Sequence, residues 1–373
     1  MGLTIGPLAV DPPVVLAPMA GVTDAAYRAL CRSYGAGLYV SEMVSARALV
    51  EGDDGSLRRI APGPDEPVRS IQLYAVDPAV TAEATKRLVH DAGVDHVDLN
   101  MGCPSPKVTR RGGGAALPVR TRLVGAIVSA AVEAAGDVPV TVKMRKGVDD
   151  RTLTFHEAAR AARDNGAAAV ALHARTAEQL YSGHADWSAI GELVEALPDV
   201  PVLGNGDVWE AADALRMVAE TGCAGVVVGR GCLGRPWLFR DLADAFAGRP
   251  VQDPPPLSEV VEVMRRHVRL LVDHKGSEHY GTRDFRKHVG WYLTGYAVGG
   301  VRRRALSQLS SIAEADELLG QLVGSETVDP AVVRQPRGHT HGPKPVTLPD
   351  GWLASADSLD VPEAGADAWT SGG

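Results

Sequence analysis

The chain has 373 residues, 45% of them hydrophobic and 23% charged, and a formal net charge of -8. That composition excludes an intrinsically disordered chain, and the acidic surplus excludes a protein that coats nucleic acid over its whole surface, though not one with a local basic face. The four cysteines Cys31, Cys103, Cys223 and Cys232 stand far apart with no Cys-x-x-Cys pair, which suits a reducing cytosol better than a disulfide framework and offers no zinc site.

The N-terminus lacks the basic segment and apolar core of a signal peptide, and Gly6 stands where a myristoylation motif needs Ser or Thr. No apolar run reaches the length of a membrane span, so a soluble cytoplasmic protein is expected.

From Val14 to Arg230, short apolar runs alternate with helix-length segments. The runs are Val14–Ala17, Leu38–Ser41, Val68–Leu73, His96–Asn100, Val140–Met144, Ala169–His173, Val202–Asn205 and Gly225–Gly229. Each is rich in Val or Leu and stops at a Gly-, Pro- or polar-containing loop, as buried parallel strands do. Asp77-Pro78 opens one intervening helix with an N-cap and a proline at the first position, while Ala92-Gly93 and Asn165-Gly166 close two others. Eight strands alternating with helices give an α/β chain, and the count suits a closed (β/α)8 TIM barrel of about 250 residues. An open doubly wound sheet is the competing architecture.

The chemistry-bearing residues sit where these runs end. The first ends in Ala17-Pro18-Met19-Ala20-Gly21, the third in Gln72, the fourth in Asn100 and Cys103, and the fifth in Lys143 and Arg145. The sixth gives His173 and Arg175, the seventh Gly204-Asn205-Gly206-Asp207, and the eighth Gly229-Arg230-Gly231. A barrel brings all of them to one rim. Pro104 and Pro106 continue neither helix nor central strand, so Cys103 belongs on a loop; the alternative is a thiol buried as a small hydrophobe. Glycines and one guanidinium after the last two strands suit a phosphate. Gly229-x-Gly231-x-x-Gly234 has the form of a dinucleotide fingerprint, but a proline linker follows where that motif needs a strand ending in an acid.

The linker near Arg249–Pro256 marks a boundary between a barrel over residues 1–248 and a small all-helical domain over 256–325. Helices are expected near Leu257–Lys275, Arg283–Tyr296, Val301–Gln308 and Ser311–Val323. Between Leu257 and Ser310 ten cations face five acids, leaving about -13 on the remainder, and Trp291, Tyr292 and Tyr296 lie among the cations. This asymmetry suggests a nucleic acid gripped through its phosphates, with aromatics available for stacking; the competing reading is a solvated helix face over a small core. Residues 326–373 read as a disordered tail, and His339-Thr340-His341 is too thin for a metal site.

In this order the chain carries APMAGVTD at Ala17–Asp24, SEM at Ser41–Met43, DLNMGCPSPKV at Asp98–Val108 and VKMRKG at Val142–Gly147. It continues with HARTAEQLYSGHADW at His173–Trp187, GNGD at Gly204–Asp207 and VGRGCLGRPWLF at Val228–Phe239. From Val14 to Phe239 it thus resembles the bacterial tRNA-dihydrouridine synthases, flavin enzymes that reduce particular uridines in tRNA. The resemblance implies FMN held at Pro18, Met19, Ala20, Gln72, Lys143, His173, Asn205, Gly206, Asp207, Gly229 and Arg230. It implies Cys103 as proton donor, with Asn100, Arg145 and Arg175 at the substrate. It further implies NADPH as reductant, tRNA on the helical domain, and neither a metal nor a membrane partner; a monomer is expected. The tail beyond about Gly324 has no counterpart in the family pattern.

The chemistry suits those residues. The C5–C6 bond of uracil is conjugated to the C4 carbonyl, so C6 accepts a hydride from reduced flavin N5 and C5 then needs a proton. A thiol with an ordinary pKa of about 8.5 is protonated at neutral pH yet able to give that proton up. Two rival readings are a flavin barrel reducing a small conjugated substrate, and a non-catalytic RNA-binding relic.

Overall fold

The computed structural model describes residues 2–35, 37–63, 65–322, 328, 330–335, 337 and 342–362. A short antiparallel hairpin opens the chain, β1 (Leu3–Ile5) with β2 (Leu8–Val10). Nine parallel strands follow: β3 (Val14–Leu16), β4 (Leu38–Tyr39), β5 (Val44–Ser45), β6 (Ser70–Tyr74), β7 (His96–Met101), β8 (Val140–Arg145), β9 (Ala169–His173), β10 (Val202–Asn205) and β11 (Gly225–Val228). Their order is β4-β3-β11-β10-β9-β8-β7-β6-β5. A parallel bridge from Val40 to Ser70, with the Ser41 N–H donating to the Ser70 carbonyl at 3.0 Å, joins the end of β4 to β6. The ring therefore closes, and the open doubly wound alternative falls. The expected runs supply its eight staves; β5 is an extra piece, with the chain leaving the ring at Ser41–Met43 and rejoining β6 through Val44 and Ser45.

Alternate residues of each strand face opposite ways, which explains two separate cores. Leu16, Val142, Met144 and Leu172 pack outward under the helices. Val15, Leu38, Ala171, Leu203 and Val227 face inward and meet Leu3, Ile5 and Val10 of the hairpin, which plugs the barrel at its N-terminal end. Asp77 caps its helix, accepting from the N–H groups of Ala79 and Val80, and Gly93 and Gly166 take the left-handed conformation after their helices.

Past the linker lie helices Leu257–Lys275, Glu278–Tyr292, Gly300–Leu306 and Ile312–Gly320. The second starts five residues before the expected Arg283 because Ser277 caps it, accepting from the Tyr280 N–H. It stops at Tyr292, just before Gly295 at φ +90°. Tyr292 and Tyr296 are buried in the core of this domain, so the stacking surfaces expected of them are not offered; Trp291 alone of the three is half-exposed. The disordered tail expected over 326–373 does not hold for 342–362, which packs on the barrel and buries Trp352. His339-Thr340-His341 lies outside the described residues. Among the described residues no helix is long and apolar enough to cross a membrane, and no group of three or more His, Cys, Asp or Glu could hold a metal.

Candidate active site

The C-terminal ends of the staves surround a cleft of about 1800 Å³, open to solvent, whose walls include Pro18, Met19, Ala20, Gln72, Asn100, Cys103, Lys143, Arg145, His173 and Arg230. An adjoining pocket of about 540 Å³ shares Pro18, Met19, Lys143, His173 and Arg230 and adds Asn205, Gly206, Asp207 and Gly229. Residues as far apart in sequence as Pro18 and Arg230 thus meet at one rim, as barrel closure requires.

Cys103 stands on the loop after β7, half-buried, whereas Cys31, Cys223 and Cys232 are buried. Its backbone is held from three sides. The Cys103 N–H donates to Asn100 Oδ1 at 3.0 Å, its carbonyl accepts from the Ala115 N–H at 3.0 Å, and Arg145 Nε donates to the preceding carbonyl of Gly102 at 3.0 Å. Gly114 is required there: at φ +54° a Cβ would stand 2.5 Å from the Cys103 carbonyl oxygen. Burial pushes the Cys103 thiol up, against the opposing pull of the Ser105 N–H and the Arg145 charge. It is therefore a protonated thiol at neutral pH, in contact with the cleft.

Behind the thiol runs a buried polar ladder. Ser70 and Gln72 on β6, His96, Asp98 and Asn100 on β7, and Thr141, Lys143 and Arg145 on β8 recur at every second residue and so share the inner face. Asp98 Oδ2 accepts from Gln72 Nε2 at 2.7 Å, and Asp98 Oδ1 accepts from the Thr141 hydroxyl at 2.6 Å. Asn100 Nδ2 in turn donates to Gln72 Oε1 at 2.8 Å, which leaves Asn100 Oδ1 for the Cys103 N–H. An acceptor-only carboxylate thus fixes which way two amides point. Burial raises Asp98 to about 6, opposed by Thr141, Gln72 and Lys143. Burial lowers Lys143 to about 8, helped by Arg145 and opposed by Asp98, so the ammonium is still cationic at pH 7.

The pocket beyond is built for an anion. Lys143 Nζ donates to Asn205 Oδ1 at 2.9 Å, and Asn205 Nδ2 donates to the Val227 carbonyl at 2.7 Å. Arg230 lies over the rings of Tyr181 and Trp209 at 4.4 and 5.3 Å, its Nη1 buried without a hydrogen-bond partner among the described residues. Burial above all, with the nearby Arg175 adding to it, lowers Arg230 to about 10, yet it stays charged at neutral pH. Gly206 at φ +131° and Gly231 admit no side chain, since a Cβ would lie 2.6 Å from Ala185 Cβ and 2.1 Å from the Val208 carbonyl oxygen respectively. A buried guanidinium with an idle donor beside glycine backbone is an unmet demand for an oxyanion. His173 lies in the same field, held far below the ordinary histidine range by burial and then by Arg145, Lys143, Arg175 and Arg230.

Arg175, expected at the substrate, does not line the cleft; it lines a neighbouring pocket with Tyr181, Asp207 and Arg230. Its Nη2 donates to both carboxylate oxygens of Asp207 at 2.8 Å and to the Gly183 carbonyl, and its Nε donates to the Ser182 carbonyl. His173 is the last residue of β9, and Arg175 lies beyond the strand end, where its guanidinium braces the Asp207 loop. Arg145 does reach the cleft, with its Nε and Nη1 donating to the carbonyls of Gly102, Thr176 and Leu180.

Other residues in and behind the wall escaped the sequence reading. Asp98, His96 and Thr141 were readable in principle, as polar residues at period two inside otherwise apolar strands. Tyr181, Arg337 and Lys344 join the wall from distant segments with no local signal, and Trp291, expected as a stacking surface, joins it from the helical domain.

Residues 15–327 match the family model described as dihydrouridine synthase. The "Probable tRNA-dihydrouridine synthase" of Mycobacterium tuberculosis (strain ATCC 25618 / H37Rv) is 52% identical over 380 residues, covering 100% of this chain and 97% of its own. That of Mycobacterium leprae (strain TN) is 50% identical, covering 96% and 100%. The "tRNA-dihydrouridine synthase B" of Proteus vulgaris is 38% identical over 82% of this chain and 94% of its own. Among solved structures, histamine dehydrogenase from Rhizobium sp. 4-9 is similar in fold, with TM-score 0.52 and 16% identity over 72% of this chain and 50% of that one. 2-Naphthoyl-CoA reductase gives TM-score 0.52 and 12% identity over 67% and 52%. The chain spans about half the length of each of those two structures.

Proposed function

The chain belongs to the dihydrouridine synthase family, and from that premise we propose that it reduces uridines of tRNA to 5,6-dihydrouridine, using FMN reduced by NADPH and the Cys103 thiol as proton donor. The observation that carries this reading is the half-buried thiol opening into the same cleft as an oxyanion-hungry Arg230. A flavin bound there supplies the hydride that side chains cannot. Pro18, Met19, Ala20, Gln72, Lys143 and His173 would hold its ring system, and Asn205, Gly206, Asp207, Gly229 and Arg230 its phosphate.

Hydride addition at uracil C6 moves negative charge toward the C4 oxygen and leaves C5 in need of a proton. Lys143 and Arg145 supply fixed positive charge on that side of the cleft, where a water-poor surrounding makes it most effective. The Cys103 thiol is protonated when the base arrives and gives its proton to C5. Asn100 and the Gly102 carbonyl–Arg145 bond keep that thiol on the reacting side. Reaching C5 and C6 takes the base out of the tRNA fold and into the cleft. The wall continues past the barrel to Trp291 of the helical domain, which favours a large substrate over a small conjugated one.

The test is Cys103→Ala. It should keep bound FMN and its reduction by NADPH while single-turnover reduction of tRNA falls by about 100-fold or more, the usual scale of general acid catalysis. Undiminished dihydrouridine formation by that variant overturns the assignment.

A further inference from the structure

Residues 342–362 lie beyond the span matched by the family model, yet they are docked on the barrel beside the thiol. Trp352 is their anchor, 3% exposed. Its indole N–H donates to the Ala116 carbonyl at 2.8 Å, and the Arg120 guanidinium lies over its ring at 3.7 Å. Arg120 also donates to the Asp360 carbonyl and to Ser355 Oγ, both at 2.9 Å.

What Trp352 grips is the turn that holds Cys103. Ala116 follows Ala115, whose N–H donates to the Cys103 carbonyl. The turn is entered through Gly112-Gly113-Gly114, a run with more backbone freedom than any other three residues could have. Side chains from elsewhere remove that freedom. A Cβ on Gly112 would lie 2.4 Å from the Trp352 ring, and one on Gly113 would lie 2.3 Å from the Tyr74 ring. The triple glycine is thus clasped between an aromatic of the barrel and an aromatic of the C-terminal segment.

We infer that the docked segment 342–362 is a positioning element of the active site, in which Trp352 clamps the Gly112–Ala116 turn and thereby fixes the Cys103 thiol. The inference rests on the reading of Cys103 as the acid. Trp352 touches neither substrate nor flavin site, and acts through the turn. Misplacing a reacting group by about 1 Å can cost 100-fold in rate, so a slack turn would be felt in the proton-transfer step.

The experiment uses the full-length, FMN-loaded chain and three readouts: single-turnover tRNA reduction by the pre-reduced enzyme, flavin reduction by NADPH, and the rate at which iodoacetamide alkylates Cys103, followed on its peptide. In Trp352→Ala, single turnover at saturating tRNA should slow by about 10-fold or more and Cys103 alkylation should change by about threefold or more, with flavin reduction within about twofold of wild type. Trp352→Phe, which keeps the apolar plug, should recover most of the rate. Leu353→Ala, at a 52% exposed neighbour, should match wild type. Wild-type turnover and alkylation in Trp352→Ala overturn the clamp. If that variant does not fold, Arg120→Gln decides: it should move both readouts the same way by about two- to threefold, and no movement overturns the inference. Cys103→Ala separates the two ideas. Full turnover there sinks the acid assignment while alkylation of the Trp352 variants still judges the clamp; lost turnover there with unchanged Trp352→Ala sinks only the clamp.

Discussion

At the scale of single residues, two arginines stand near the anion pocket and are committed differently. Arg175 Nη2 pairs with Asp207 at 2.8 Å, whereas Arg230 approaches Asp207 only to 3.9 Å; the Nη1 of each is buried without a partner among the described residues, and Arg230 is the one that lines the pocket. Arg230→Ala should therefore raise the dissociation constant for FMN by about 10- to 100-fold, the range of a lost hydrogen bond to a charged group, and leave the Arg175–Asp207 brace standing. Titrating FMN into stripped protein by flavin fluorescence measures it, and an unchanged constant removes Arg230 from the phosphate site. The two arginines also mark how far residue identity could be read from the chain. Both follow strand ends and both are buried guanidiniums in a motif. Both keep a buried Nη1 without a partner among the described residues, but only Arg175 is braced by the Asp207 carboxylate and the Ser182 and Gly183 carbonyls, whose approach is a property of loop conformation and leaves no trace in spacing.

At the scale of elements, the barrel's staves were legible because each is rich in apolar residues and stops at a loop of Gly, Pro or polar residues; β6, β7 and β8 carry inward polar residues, and there the sequence signal was a mixed one. The C-terminal segment was illegible for the opposite reason. Its anchor is one tryptophan in a Pro- and Gly-rich stretch, and its partners Ala116 and Arg120 lie more than 230 residues earlier. The seam between the barrel and the helical domain yields a pH prediction. Tyr27 of helix Ala25–Arg32 meets His267 and His288 at ring-centroid distances of 5.4 and 5.8 Å, and the Tyr292 hydroxyl lies 3.0 Å from His267 Nδ1. Burial lowers His267 to about 3, helped by Lys287 and opposed by Asp284, and it holds His288 far below the ordinary range. An unfolded histidine takes its proton near 6.5, the folded His267 only near 3. Between those values the unfolded chain binds more protons, so the stabilisation is present above about pH 6.5 and is lost as pH falls. The melting temperature should drop from pH 7 to pH 4.5, and His267→Phe should flatten that slope even if it lowers the pH 7 value by stranding the Tyr292 hydroxyl. Equal slopes in the two proteins would place the acid sensitivity elsewhere.

At the scale of the whole molecule, charge is divided unevenly, with ten cations against five acids between Leu257 and Ser310 in a chain of net -8. Folding spends much of that surplus internally. Arg265 and Arg269 pair with Asp316, and Lys275 and Lys287 with Asp284. Arg286 donates to the Leu309 carbonyl, and Arg303 to the carbonyls of Leu293 and Tyr296. A count along the sequence could not see this, because Asp316 falls outside the basic stretch and backbone carbonyls carry no charge. Arg283, Arg302 and Arg304 are exposed and have no hydrogen bond or ion pair among the described residues, so these three keep their full charge for an outside partner. If tRNA phosphates are that partner, reversing Arg302 and Arg304 together to Glu should raise the KM for tRNA by about 10-fold at moderate salt and make its dependence on the logarithm of salt concentration shallower by about two. Flavin reduction by NADPH should not change, since that step needs no RNA. Reversing Arg269 should instead lower the melting temperature through Asp316, with little effect on KM. A double reversal at 302 and 304 that leaves both KM and its salt slope at wild-type values would move the RNA off this face of the helical domain altogether.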